Sequence, residues 1–229
     1  IEERLVGSEM CIRDRSNWGY ITLVVEDETN WDAIEYQLIG WNNGSQESVP
    51  DAENMFSLDY IALSGHGTGA HTAAEIVKSN NYEIDGLFGL GLDGSSTDHT
   101  GDVILSRPSS ALFLTGTTDD IAPADDNVMS YLVDWPGAWQ IMHPLGANHI
   151  GYQESDTFFE RLADGDDNMG REGQQNHALN HILPYLNLSL KGDDSAYQIA
   201  FNREDKSVSS DPDSYIDEDL SRSRLYKIC

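Results

Sequence analysis

Five short runs of apolar residues stand out along the chain, and polar or turn-forming residues separate each run from the next. Each run is almost continuously apolar, without the alternation that marks a strand with one solvated face. Such runs are typical of strands that are covered on both faces of a parallel sheet. The predicted strands are Gly19–Glu26, Tyr60–Ser64, Leu87–Leu92, Ala111–Thr117 and Ala138–His143.

Segments with helical character lie between and after these runs. In the last of them the apolar residues recur every four positions from Ala178 to Leu190, and Pro184 is expected to kink the helix. A short edge element is expected at Tyr197–Phe201. The alternation of strands and helices predicts an α/β fold with a mostly parallel sheet and helices on both faces. The predicted helices are Asn30–Trp41, Gly69–Ser79, Ala122–Asp134, Ser155–Asp164 and Gln174–Gly192.

The composition adds an extreme charge to this picture. The 229 residues carry a formal net charge of −27, and only 39% of them are hydrophobic. Apolar runs of this strength indicate a folded domain with an acidic surface and not a disordered chain. Repulsion of phosphates argues against nucleic acid as a partner, and the same charge argues against anionic membranes. Two explanations stay open: life in high salt, where screening relieves self-repulsion, and an ordinary acidic protein.

The two ends of the sequence are expected to lie outside the folded core. Residues 1–15 have no clear period and contain a stretch that resembles translated adapter sequence, so we expect a non-native leader before the C-terminal part of a longer protein. We expect the core to span residues 16–193 and an acidic, loosely ordered segment to span residues 194–229. We find neither a signal-peptide pattern nor an apolar run of membrane-spanning length, so no membrane insertion is expected and the localisation stays open.

Three features follow predicted strands and carry candidate chemistry. The turn Gly65–Gly69 has the setting of a nucleophile elbow, G-x-S-x-G, between a strand and a helix. An acidic pair lies in Thr115–Pro123, and a histidine lies in the glycine-bearing loop Leu145–Tyr152. Sites in open α/β sheets form at the carboxyl ends of strands, where all three features are predicted to lie. The order of elbow, acid and histidine is that of α/β-hydrolases.

These stretches resemble α/β-hydrolase esterases of the dienelactone hydrolase, platelet-activating-factor acetylhydrolase and cutinase-like polyesterase branch. The matching stretches are SNWGYITLVVE, GHGTGA, LFLTGTTDDIAP, GANHIGY and LNLSLKGD. The resemblance covers roughly residues 16–193 and implies an α/β-hydrolase fold that lacks its N-terminal strands. It also implies hydrolysis of a small-molecule or polymeric carboxylic ester through an acyl-enzyme, without a metal or an organic cofactor.

The resemblance assigns roles residue by residue. Asp119 matches the triad acid, with its neighbour Asp120 as the fallback, and His149 matches the catalytic base. The backbone N–H of Thr68 matches one oxyanion donor, whereas the second donor belongs to the missing strands. Gly67 occupies the position of the nucleophile, which is the departure from the family pattern. Outside this pattern, the aspartates would cap the following helix and the histidine would satisfy backbone groups of its loop.

Glycine at position 67 removes the hydroxyl that attacks the ester carbonyl in a serine hydrolase. An elbow forces its central residue to a positive φ, which glycine adopts without strain. We therefore expect a stable turn in an inactive or strongly impaired hydrolase. Neither Thr68 nor Ser64 is expected to reach the place of the nucleophile. The alternative is a non-catalytic pseudoenzyme that binds an ester or acyl ligand in the residual cleft.

Weaker candidates are read in two ways each. Three aromatic residues either line a substrate pocket or pack in the core: Trp135, Trp139 and Tyr152. His177 and His181 have the spacing of metal ligands on a helix but lack a third ligand, so surface polar residues are favoured. Asp164–Gly170 faintly resembles a calcium loop, but a solvated acidic turn is favoured because Met169 occupies the glycine position. His66 is expected to be structural, and the oligomeric state is left open.

Overall fold

The computed structural model describes residues 19–20, 22, 60–79, 84–94, 110–132, 135 and 137–201. The predicted helix at Asn30–Trp41 lies outside the described residues, as do the expected leader and the chain beyond residue 201. Only three residues of the predicted strand at Gly19–Glu26 are described. The elements of the fold can therefore be followed from residue 60 onward.

The other four predicted strands are present and form one sheet. They are β1 at Ala62–His66, β2 at Gly86–Leu90, β3 at Ser110–Leu114 and β4 at Trp139–Met142. All neighbours are parallel, and the strands pair in chain order. The register matches His66 with Leu90, Leu90 with Leu114, and Leu114 with Met142. The strands therefore end in one row, and the segments that follow them meet at one edge of the sheet.

Five helices are described alongside the sheet. They are α1 at Thr68–Ser79, α2 at Val128–Leu132, α3 at Phe158–Ala163, α4 at Arg171–Lys191 and α5 at Ser195–Phe201. A capping box begins α3, because the Thr157 hydroxyl accepts the Glu160 N–H and the Glu160 carboxylate accepts the Thr157 N–H. The helix α4 runs through Pro184 without ending there. None of the described helices combines the length and the apolar character that crossing a membrane requires.

The central strands β2 and β3 are buried on both faces, because alternate side chains of these strands enter two separate cores. Leu87 of β2 joins Ile76 of α1 in one core, which also contains residues of α2. The next residue along β2, Phe88, joins Ile182 of α4 in the other core. A parallel sheet with helices on both sides confirms the predicted α/β class.

Two elements differ from the sequence-based predictions. The helix predicted at Ala122–Asp134 is wrong in its first half, because α2 begins only at residue 128. The carbonyl of Pro123 accepts the backbone N–H and the Nδ2–H of Asn127, which closes a turn before the helix. The edge element expected at Tyr197–Phe201 is helical and belongs to α5, which packs against α4.

Candidate active site

The turn between β1 and α1 has the geometry of a sharp strand-to-helix elbow. Gly67 lies between His66, the last residue of β1, and Thr68, the first residue of α1. Its φ is +57°, as the elbow pattern predicts. Its N–H donates to the Leu90 carbonyl at 3.0 Å, and its carbonyl accepts the N–H of Asp93 at 3.2 Å. Backbone contacts to the end of β2 therefore hold the turn without any side chain at position 67.

The first glycine of the elbow, Gly65, allows a close approach between strand and helix. A Cβ atom on Gly65 would lie 2.2 Å from the carbonyl carbon of Gly69, far inside the distance that any side chain tolerates. Glycine at the first position of the G-x-G-x-G turn therefore has a steric reason, because β1 meets the backbone of α1 there. The central glycine has a different setting, which depends on the loop after β4.

The predicted acid, Asp119, is buried beyond the end of β3, with 4% of its surface exposed. Its Oδ1 accepts the N–H of Ala122 at 2.7 Å, and its Oδ2 lies 3.2 Å from Nδ1 of His149. The Asp119 carboxylate therefore makes the contacts of both predicted roles, with one oxygen capping the turn and the other facing the histidine. Asp120 is exposed, so the fallback residue does not take this place.

The predicted base, His149, is buried just before a 3₁₀ turn at Ile150–Tyr152, with 6% of its surface exposed. Because a carboxylate can only accept, the bond to Asp119 assigns the ring proton to Nδ1. In the neutral imidazole Nε2 is then an acceptor. This is the tautomer of a histidine that can take a proton from a neighbouring group.

The acceptor nitrogen of His149 faces the elbow. A Cβ atom built on Gly67 would lie 3.3 Å from Nε2 and 3.6 Å from Cε1 of the imidazole. A hydroxyl one bond beyond that Cβ is within reach of a hydrogen bond to Nε2. The structure therefore brings together Gly67, Asp119 and His149, the three positions that the sequence predicted. His149 lies between the other two, with Asp119 on its Nδ1 side and Gly67 on its Nε2 side.

A second histidine, His66, contacts both the backbone and the ring of His149. The Nε2–H of His66 donates to the backbone carbonyl of His149 at 3.0 Å, and the two ring centroids are 4.4 Å apart. Burial, followed by repulsion from His149, lowers the pKa of His66 to about 3. His66 therefore stays neutral at physiological pH and packs against the base, in agreement with the structural role expected for it.

Gly91 is a site residue that the sequence analysis missed. It directly follows β2, has a φ of +49°, and lies under the acid–base pair. A Cβ atom there would lie 2.9 Å from Nδ1 of His149 and 3.3 Å from Oδ2 of Asp119. The only signal was the second glycine of LFGLGL, which a strand prediction absorbs. Glycine at this position leaves room for the hydrogen bond between the two side chains.

The loop that carries His149 is held by buried amides, which the sequence analysis also missed. Gln174, at the start of α4, accepts the N–H of Asn148 at 3.1 Å and donates Nε2–H to the Asn148 carbonyl at 2.7 Å. The Asn148 side chain accepts the N–H of Gly151 and donates to the Gly165 carbonyl. Because these bonds surround the residue before His149, they fix the backbone from which the imidazole projects.

The three aromatic residues predicted as weak pocket candidates lie in or against the core. Trp135 is buried and packs edge-on against Phe113 at 6.3 Å, and Trp139 packs against the same core. Tyr152 is buried in the other core, and its hydroxyl donates to the Thr115 carbonyl at 2.8 Å. The core-packing alternative is therefore the one that the structure favours for Trp135 and Tyr152.

The remaining candidates are placed as follows. Thr68 is exposed, and its N–H lies in the first turn of α1, where helical N–H groups lack an acceptor within the helix. His177 and His181 stack at 4.4 Å, and Nδ1 of His181 donates to the His177 carbonyl. Within the described ranges, no three His, Cys, Asp or Glu side chains are grouped to hold a metal ion. Asp164 is not a solvated turn residue, because it is half-buried and accepts three backbone N–H groups.

No protein-family model matches the chain, and no curated protein is significantly similar to it in sequence. The geometry of the site and the order of its residues along the sheet are therefore the basis on which a function can be argued.

Proposed function

We propose that the chain has the α/β-hydrolase fold and is an ester hydrolase of the dienelactone hydrolase, platelet-activating-factor acetylhydrolase and cutinase-like branch, in which glycine stands in place of the nucleophilic serine. One observation carries the proposal. The Cβ position of Gly67 is 3.3 Å from Nε2 of His149, whose Nδ1 is hydrogen-bonded to the buried carboxylate of Asp119. An acid, a base and an elbow in this relation are the parts of an acyl-transfer site.

The proposed chemistry needs a hydroxyl on residue 67. As this hydroxyl attacks the ester carbonyl, His149 takes its proton and later gives it to the leaving alcohol. Asp119 keeps the imidazole in the Nδ1–H tautomer and stabilises the imidazolium, while the N–H of Thr68 supports the developing oxyanion. The substrate is a small-molecule or polymeric carboxylic ester, and the scheme uses no metal or organic cofactor.

The chain as it stands lacks this hydroxyl, and we propose that it is inactive or strongly impaired. Loss of the nucleophile from a serine hydrolase costs about 10⁶-fold in rate. His149 retains the ability to deprotonate a water molecule. In a complete hydrolase site, the oxyanion hole and substrate binding leave about 10³–10⁴-fold over the uncatalysed reaction once the triad is removed. Any activity of the unchanged protein should therefore depend on His149 and be far below that of a complete triad.

Restoring the hydroxyl tests the proposal. The Gly67→Ser variant should hydrolyse p-nitrophenyl acetate and butyrate at least 100-fold faster than the unchanged protein. It should also react with a fluorophosphonate, with the added mass located at residue 67. Gly67→Ala is the matched control, since it carries the same positive-φ strain without a hydroxyl. In the Gly67→Ser background, His149→Ala should abolish both turnover and labelling.

Each failure has a distinct meaning. A folded Gly67→Ser protein that neither turns over the esters nor takes up the fluorophosphonate would overturn the proposal. Equal rates in Gly67→Ser and Gly67→Ala would overturn it as well, because the hydroxyl would then play no part. Saturable binding of a non-hydrolysable ester analogue without turnover in any variant would instead favour the pseudoenzyme alternative.

A further inference from the structure

We propose that Asp164 is a positioning residue that holds Asp119 and His149 at hydrogen-bonding distance from one another. The inference deepens the proposed function, on whose site it rests, but its test requires no catalytic activity. Asp164 belongs to neither the elbow, nor the acid loop, nor the histidine loop. It follows α3 as the C-terminal cap of that helix.

The carboxylate of Asp164 reaches both loops that carry the pair. Its Oδ2 accepts the N–H of Ile150 at 2.8 Å, and its Oδ1 accepts the N–H of Asp120 at 3.2 Å. The same Oδ1 accepts the N–H of Gly165 at 2.9 Å. Ile150 directly follows His149, and Asp120 directly follows Asp119. A single side chain thus ties together the residues immediately after the base and after the acid.

The two loops also contact each other before the pair, and Tyr152 adds a contact after His149, since its hydroxyl donates to the Thr115 carbonyl at 2.8 Å. The N–H of Thr118 donates to the Ala147 carbonyl at 3.0 Å, and its hydroxyl donates to the same carbonyl at 2.8 Å. Gly116 approaches this carbonyl so closely that a Cβ atom there would lie 2.0 Å from the oxygen. Among the described contacts, the Asp164 carboxylate is the group that bonds the residues directly after both Asp119 and His149. The Thr118 contacts therefore join the two loops before the pair, and the Asp164 carboxylate joins them directly after it.

The environment of Asp164 fits a structural anion. Burial raises the pKa of this carboxyl, and the charge of Asp119 raises it further, while the three backbone N–H groups act in the opposite direction. A half-buried carboxylate beside a second one is retained here in spite of this cost. The N–H groups of the two loops compensate for the cost of burying this carboxylate. A neutral amide in its place could not accept all of these hydrogen bonds. An asparagine has one acceptor oxygen, so it can accept the N–H of Asp120 or that of Ile150 but not both.

The test reads the tautomer of His149 by nitrogen NMR of the imidazole in the otherwise unchanged protein. The wild-type ring should hold its proton on Nδ1, against Asp119. In Asp164→Ala it should move toward the mixture of tautomers of an unconstrained imidazole, and Asp164→Asn should show a smaller change. Asp167→Ala is the matched control, because Asp167 lies in the same acidic segment and accepts one backbone N–H, that of Gly170, away from the pair.

Each result decides the proposal. An unchanged Nδ1–H tautomer in folded Asp164→Ala would overturn it, as would an equal change in Asp167→Ala. If Asp164→Ala fails to fold, Asp164→Asn carries the same comparison, and an unchanged ring there overturns the proposal. In the Gly67→Ser background, Asp164→Ala should also lower kcat about 100-fold, the effect of a small misplacement of a catalytic group. Absence of ester hydrolysis in Gly67→Ser would count against the proposed function and leave the NMR result intact.

Discussion

Replacing Gly91 by alanine should separate Asp119 from His149 while leaving both of these residues unsubstituted. The new methyl carbon would lie 2.9 Å from Nδ1 of His149 and 3.3 Å from Oδ2 of Asp119. Both distances are below van der Waals contact, and both atoms belong to the hydrogen bond between the two residues. Because the imidazole and the carboxylate are buried, neither can move away into solvent without opening the site.

Two costs add up in this variant. Alanine at a φ of +49° costs about 1–2 kcal/mol in the left-handed region. Loss of the hydrogen bond to a buried charged group costs about 1.5–3 kcal/mol more. The expected loss in the free energy of unfolding is therefore about 2.5–5 kcal/mol. Gly192→Ala is the control for the first cost alone, since Gly192 caps α4 at a φ of 67° with no described atom within 4 Å of its Cβ position.

The comparison is made by urea denaturation, with the tautomer of His149 read by NMR in the same samples. Gly91→Ala should lose about 2 kcal/mol more than Gly192→Ala, by the cost of the hydrogen bond, and should release the ring proton from Nδ1. If Gly91→Ala is as stable as Gly192→Ala and keeps the Nδ1–H tautomer, the pair is not confined by Gly91 and the reasoning is refuted.

Two further predictions concern pH and salt. Below its ordinary pKa near 6.5, His66 of the unfolded chain takes up a proton that the folded protein refuses until about pH 3. Stability should therefore decrease as the pH is lowered from about 6.5 to about 3, by up to about 1.4 kcal/mol per pH unit from this residue. When the pH is lowered from 7 to 4.5, urea titrations should show a smaller loss of stability for His66→Gln than for the wild type. Equal losses in the two proteins would contradict a neutral His66 in the folded protein. The net charge of −27 predicts a melting temperature that rises toward molar NaCl, and a flat melting curve against salt would exclude the halophilic explanation.

The sequence pattern predicted most of the fold that is described. Short apolar runs predicted all four strands of the described sheet, because buried parallel strands must be apolar on both faces. The glycine-rich turn after Tyr60–Ser64 predicted both the elbow and the start of α1. Asp119 and His149 were predicted from their places after strands and from the family pattern. The structure pairs these two side chains, although they lie in different loops.

The parts that could not be predicted depend on side chains bonded to distant backbone. Asp164 looked like one acidic residue among several, since nothing in its local sequence shows that its partners follow Asp119 and His149. Gly91 looked like a strand glycine, because its steric role appears only when the imidazole is placed above it. The helix predicted from Ala122 was too long, since its periodicity could not show that Asn127 closes a turn first. Local patterns carry no signal for such contacts.

The chain order of the sheet affects how the site is assembled during folding. Asp119 and His149 are 30 residues apart, whereas the bond from His66 to the carbonyl of His149 spans 83 residues. Closing the longer loop costs about 0.9 kcal/mol more in chain entropy, since this cost grows with the logarithm of loop length. The acid–base pair lies in the loops that follow β3 and β4, which are neighbours in both sequence and space. The contact between elbow and base joins the ends of β1 and β4, so it reports that all four strands are in place.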